Sequence, residues 1–233
     1  MALTPDSSTE TFFREVDEDL RRDQMNAFVK KYATWIVLGV VLFLAVVGGW
    51  MYWKERQRQQ VQTQTEELSK IYADIGGTQA ASVPKRLEPL ESADNELIRA
   101  SAILTHAAVA LGSNDRKTAL SKYRQLANDD GLPEPYRDLG LLRSTALEFD
   151  SLKPEEVIAR LEPFARAGEP WFGSAGEMTA MAYLKLGKKD QAGKMFAAIA
   201  ADKGVPDTLR SRAAQIAGTL GVDASASLPG ISL

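Results

Sequence analysis

Residues 119–133 read ALSKYRQLANDDGLP, and residues 192–206 read AGKMFAAIAADKGVP. Laid at an offset of 73, the two stretches share Ala119/Ala192, Tyr123/Phe196, Leu126/Ile199, Ala127/Ala200, Asp129/Asp202, Gly131/Gly204 and Pro133/Pro206. Arg137 and Arg210 continue the register. A second pair interleaves with the first. Arg86-Leu87-Glu88-Pro89-Leu90 returns 74 residues later as Arg160-Leu161-Glu162-Pro163-Phe164. With Leu87, Tyr123, Leu161 and Phe196 as equivalent marks, the steps are 36, 38 and 35 residues, so a unit of about 36 residues occurs four times. A fixed period of this size marks stacked supersecondary units that bury one another's apolar faces.

Each unit divides into two helical stretches. Leu97, Ser101, Leu104, Ala108 and Leu111 trace one helical face, as do Leu139, Leu142, Ala146 and Phe149, and Met178, Met181, Ala182 and Leu186. Their spacing points to faces buried by the neighbouring unit. Breaks fall on Gly, Asn, Asp and Pro, and no run alternates as a half-buried strand does. The fold class is therefore all-α. Pro89 and Pro163 lie inside stretches that otherwise read as helix, where proline costs about 3 kcal/mol or more. Their recurrence leaves two options, a kink or an early helix break.

The last unit resembles the tetratricopeptide repeat (TPR), with Ala180, Tyr183, Ala192 and Phe196 at the small and aromatic positions of that motif. Small residues let two helices approach, and an aromatic fills the gap to the next pair. In the first unit Thr105 and Ala108 stand where Ala180 and Tyr183 stand, with the turn Ser113–Thr118 two residues longer than Lys188–Gln191. That register matches His106 to Met181. The resemblance implies a solenoid of helix pairs with a concave side lined by the first helix of each pair. Arg99, His106, Arg137, Glu177, Met181 and Lys185 are the groove residues expected from it. Trp171 and Phe172 are expected to pack between repeats; Met178, Met181 and Met195 could make an adaptable apolar surface, but their helical spacing favours the core.

Upstream of the repeats, residues 33–53 read ATWIVLGVVLFLAVVGGWMYW, without a charge. At about 1.5 Å per residue this run is roughly 31 Å long as a helix, the thickness of a bilayer's hydrocarbon core. Tyr32 and Trp35 stand at one end, and Trp50, Tyr52 and Trp53 at the other. Lys30 and Lys31 precede the run, and Lys54, Arg56 and Arg58 follow it. Interfacial aromatics with flanking cations are the pattern of a membrane-spanning helix. A cleaved signal peptide has a shorter apolar core and then small residues, whereas here 32 residues precede the run and bulky aromatics close it. Ala45 and Gly49 form a weak small-xxx-small pair. Nearby cations number five before the span and four after it, a slight lean to a cytoplasmic N-terminus.

Around these features the chain divides into a partly helical tail (1–32, with 1–11 unstructured), the span (33–53), a connecting helix (54–77) stopped by Gly76-Gly77, the repeat domain (78–221) and a flexible tail (222–233). The composition narrows the chemistry. The 233 residues are 45% hydrophobic and 25% charged, and contain no Cys and one His. Disulfides, thiol nucleophiles and Cys-ligated metals are excluded, and a Ser-His-Asp triad would have to use His106. The net charge of −3 gives no basic footprint for nucleic acid. Gly173 and Gly176 lack a preceding strand and a P-loop Lys, so no nucleotide site is indicated. Neither a cofactor nor a small-molecule substrate is expected.

As a whole the chain resembles the bacterial ancillary SecYEG translocon subunit family, most specifically at the Gly49-Trp50-Met51-Tyr52-Trp53 exit of the span. That resemblance implies a single-pass inner-membrane protein with a cytoplasmic N-terminus and a periplasmic TPR-like domain. It also implies partners among the translocon and periplasmic chaperones, and a non-catalytic role in secretion. The alternatives are an assembly factor for one envelope or respiratory complex and, remotely, an envelope hydrolase built on His106.

Overall fold

The structure, a computed structural model, describes the backbone of residues 7–225 and the side chains of residues 30–225. The described residues are helical throughout, without a strand. They fall into two compact units that meet between Thr63 and Gln64.

Most of helix α1 (Ser7–Asp74) makes up the first unit. It begins earlier than expected, so residues 7–11 are helical where an unstructured tail is anticipated; residues 1–6 lie outside the described part. Through the apolar run the large side chains are exposed on every side, among them Trp35, Leu38, Leu42, Phe43, Val46 and Trp50. A helix apolar all round needs an apolar surrounding. Among the described residues this is the one helix long and apolar enough to cross a membrane. Cations sit over the aromatics at its ends: Lys31 over Tyr32, Lys54 over Trp50 and Arg56 over Tyr52, at 5.5, 5.0 and 5.4 Å from the ring centres.

The second unit takes in the last turns of α1. Leu68 and Ile71 pack into a core with Val83, Leu87, Leu90 and Ile98. Arg86, on α2 (Val83–Leu87), holds them with ion pairs to Glu67 at 2.7 Å and Asp74 at 2.5 Å. Gly76, at φ +84°, ends the helix as the sequence indicates. The repeats follow as α3 (Glu96–Gly112) with α4 (Arg116–Asn128), α5 (Glu134–Glu148) with α6 (Pro154–Leu161), α7 (Phe172–Lys185) with α8 (Lys189–Ala201), and α9 (Asp207–Thr219). Each helix from α3 to α9 packs on the next, and the first helices also touch one another, α5 on α7 and α7 on α9.

The repeat marks Leu87, Tyr123, Leu161 and Phe196 are all buried. Equivalence extends to single hydrogen bonds. Asp129 accepts from Gly131 N at 2.9 Å and Asp202 from Gly204 N at 2.8 Å, and Pro133 and Pro206 start α5 and α9 with nearly the same backbone angles. Both internal prolines prove to be early breaks. Helix α2 ends two residues before Pro89, which opens a 3-10 turn at Leu90–Ser92, and α6 ends two residues before Pro163. Lacking an N–H, proline cannot continue the ladder, so the chain turns there.

Two expectations about packing are corrected. On α3 the buried residues are Ile98, Ala100, Ala102, Ile103, His106, Ala107 and Ala110, while Leu97 is 51% exposed and Ala108 is exposed. On α5 Gly140, Ser144 and Thr145 join Leu142 in the interior, and on α7 the buried set is mostly Gly, Ala and Thr. Small residues mediate the helix contacts because the axes come close: a Cβ on Gly140 would meet Ala127 N and Tyr123 O at 2.7 Å. The faces traced by the larger apolar residues are in part the open ones. Residues 222–225 also depart from a loose tail, since Val222 N donates to Ala217 O at 3.0 Å and Ala224 is buried in the last core. Residues 226–233 lie outside the described part.

Candidate protein-binding face

Helices α3 and α7 are brought into register by the turns that follow them. Gly112 ends α3 and Arg116 starts α4; Lys185 ends α7 and Lys189 starts α8. Each turn has three residues, with Asn114 (φ +60°) and Gly187 (φ +72°) in the left-handed conformation at its second position. The offset of 73 therefore runs unbroken through the turn, and the first unit has no longer turn. His106 corresponds to Thr179, both buried, and Ala107 to Ala180. The residue that corresponds to Met181 is Ala108, exposed like it.

This shift explains where the six expected groove residues lie. His106 is 7% exposed, its Nδ1 2.5 Å from Glu91 Oε1, while Lys122 Nζ donates to the other oxygen of Glu91 at 2.5 Å. The three side chains tie the 3-10 turn after Pro89 to α3 and α4. Arg99 is also spent inside, donating to Asp129 Oδ2 at 3.0 Å, Ala93 O at 2.7 Å and Gly131 O at 2.9 Å. Arg137 lies at the start of α5 against Asp130 at 3.4 Å. The remaining three come together. Glu177, Met181 and Lys185 are successive i, i+4 positions on one stripe of α7. Glu177 pairs with Arg212 of α9 at 2.8 Å; Lys185 pairs with Asp150 at 2.9 Å and lies 4.3 Å from the centre of the Phe149 ring. Met181 between them is 41% exposed, against the expectation of a core methionine, whereas Met178 and Met195 are half-buried against cores. Phe172 is buried in the core of α7, α8 and α9, and Trp171 is half-buried against the neighbouring core of Leu142, Val157 and Leu161.

The same stripe continues on the other first helices. In α3 the counterparts of Ser174, Glu177, Met178, Met181 and Lys185 are Ser101, Leu104, Thr105, Ala108 and Gly112. Thr105 Oγ1 is 3.5 Å from the Tyr72 hydroxyl, so the end of α1 borders this face. In α5 it carries Arg143 and Ala146, both exposed, and Arg143 makes no hydrogen bond or ion pair among the described residues. Ala108, Arg143 and Arg212 were not among the expected groove residues, and an offset of 73 carried through the turn places Ala108 opposite Met181.

Two carboxylates near the repeat turns have displaced pKa values. Hydrogen bonds from Gly168 N and Gly204 N hold Asp202 below the usual aspartate range. Burial raises Asp138, with Glu134 adding to the rise, while the Trp171 hydrogen bond and Arg137 oppose it. Among the described residues no group of acids and histidine is placed to hold a metal.

Stacked helix pairs that bury one another and leave a face of their first helices open define a repeat protein of the kind that binds other polypeptides. The tetratricopeptide repeat-like domain family matches residues 26–216, and the chain belongs to that family. No curated protein and no solved structure matches it.

Proposed function

We propose that the chain is a non-catalytic, single-pass protein of the bacterial inner membrane, anchored by residues 33–53. Its repeat domain, in the periplasm, holds partner proteins on the open face of α3, α5, α7 and α9, working beside the SecYEG translocon and handing envelope proteins to periplasmic chaperones. The observation that carries the binding role is that face: Leu97 and Ala108 of α3, Arg143 and Ala146 of α5, Met181 of α7 and Arg212 of α9 are exposed while small residues of these helices do the packing. Anchoring is supported by an apolar run exposed on all sides with cation–aromatic pairs at both ends. The family match starts at residue 26 and so includes the run, which favours a retained helix over a cleaved leader. The translocon and chaperones come from the resemblance of the whole chain.

Tethering raises the local concentration of the face for any partner at the same membrane, so weak recognition suffices. Protease treatment of spheroplasts carrying a C-terminally tagged chain tests the topology. Digestion of the tag is expected, and its protection overturns the periplasmic placement. A photo-crosslinker at Ala108 or Met181 tests the face. Adducts with translocon subunits or envelope chaperones are expected, and adducts with one unrelated complex would point to an assembly factor instead.

A further inference from the structure

The four open first helices do not present the same chemistry. Helix α3 has only two charged side chains, Glu96 at its first position and Arg99, which is consumed by Asp129 and two carbonyl groups. Its single histidine is turned inward to Glu91. Along this stripe the exposed Leu97 and Ala108 and the half-buried Ser101, Leu104 and Thr105 carry no charge over three turns, with Leu104 packed in part against the cores beneath. A helix face that meets only water normally carries charges, as α7 does at the equivalent positions. Next to this stripe Tyr72, its hydroxyl 3.5 Å from Thr105 Oγ1, is 48% exposed, about as open as Leu97. One helix further on stands Arg143, without an acid among the described residues. Beyond it, Lys185 and Arg212 are each partnered by a single carboxylate, from Asp150 and Glu177. The face thus runs from an uncharged end at α3 to helices whose cations are paired, with Arg143 between them as the one cation of the stripe that meets no carboxylate among the described residues.

We infer that this face takes a polypeptide segment of a partner protein with matching polarity: small aliphatic side chains against α3, followed by carboxylates that reach Arg143 of α5. The uncharged end supplies apolar burial, and the guanidinium supplies orientation, since a carboxylate on Arg makes the stronger, charge-assisted hydrogen bonds. A segment laid the other way would set its acids against Leu97 and Ala108 and leave Arg143 without a partner, which penalises the reversed orientation and lysine-bearing segments alike. This inference rests on the proposed binding role of the face and adds the class and direction of what is bound.

The test uses the full chain in lipid nanodiscs and three fluorescent 15-residue probes. The first has leucines and alanines in one half and glutamates in the other, the second replaces glutamate by lysine, and the third reverses the order of the halves in the first probe. The first probe is expected to bind at least tenfold more tightly than the second. Ala108→Glu should weaken it tenfold or more. Arg143→Glu should invert the preference, so that the lysine probe binds better. Both positions are exposed, and unchanged melting by circular dichroism keeps the comparison valid. A nitroxide on the acidic end of the first probe should broaden NMR signals of α5 more than those of α3, and the reverse for the third probe would remove the assigned direction. Equal binding of glutamate and lysine probes, or failure of Arg143→Glu to alter the preference, overturns the inference. Crosslinks from Ala108 to partner proteins would then still stand for the broader role, whereas loss of those crosslinks would remove the role itself.

Discussion

At the residue scale, stability is concentrated in a few side chains between units. Phe196 is wholly buried among Phe172, Ala180, Ile199 and Val205. Phe196→Ala is expected to cost about 3–5 kcal/mol in chemical denaturation, the range for emptying a buried aromatic site; a loss under about 1 kcal/mol would contradict the packing. Glu91 holds both His106 and Lys122 in a site where its own side chain is 9% exposed. Removing one member of a buried charged network leaves the others uncompensated, so Glu91→Ala should cost about 3–5 kcal/mol. Asp202 yields a pH prediction. Its folded pKa is depressed by the Gly168 and Gly204 amides, so its contribution is present above the unfolded aspartate pKa of about 3.9 and is lost as pH falls through the depressed folded value. Asp202→Asn should therefore bring the stability curves of variant and parent together on acidification below about pH 4. Curves that stay parallel to pH 2 would show that the carboxylate charge is not what the two amides recognise. The burial of His106 was not legible in the sequence. A lone histidine on a helix is assigned by register, and a two-residue error across the Ser113–Asp115 turn moves it from the interior to the surface.

At the scale of elements, the period of about 36 and the alternate-unit likeness were legible because the turns carry it: Asp129-x-Gly131-x-Pro133 and Asp202-x-Gly204-x-Pro206 must recur if the same bend is to recur. Helix faces were less legible. Periodicity of Leu and Met is ordinarily read as core, but where helices approach as closely as α4 and α5 do at Gly140, the contact belongs to Gly, Ala and Ser, and larger side chains are displaced toward the open side. Gly140→Ala should accordingly destabilise by about 1–3 kcal/mol, since the added carbon meets backbone atoms that cannot give way. A stabilisation of the kind seen when glycine is replaced within a helix would mean the axes lie further apart. Pro163 gives the converse test. It stands outside α6, so Pro163→Ala should lose about 0.5–1 kcal/mol through the freer unfolded chain. A gain approaching 3 kcal/mol, the relief expected for a proline in a helix interior, would indicate a kinked continuous helix instead.

At the scale of the whole molecule, the composition average conceals two regimes, since a mean hydropathy of −0.21 is the mixture of an apolar helix and a repeat domain with charged surfaces. Within the apolar helix Val41, Leu42 and Leu44 are each at least 60% exposed, so nothing in the described protein covers them. If lipid is their surrounding, placing charge there is costly: an arginine near the middle of a spanning helix costs about 2.5–3.5 kcal/mol on insertion scales, and three together exceed what the remaining residues supply. The triple variant Val41→Arg, Leu42→Arg, Leu44→Arg should move the chain from the carbonate-resistant membrane pellet to the supernatant. Residues 64–225 belong to a compact unit of their own, so the melting transition of the repeat domain should remain where it is in the parent protein. Intact mass of the parent chain from the membrane fraction, with residues 1–53 retained, distinguishes an anchor from a leader removed on export. A variant that still pellets after the carbonate wash would place the membrane attachment outside residues 33–53, and a repeat domain that melts earlier in the variant would mean those residues support its fold.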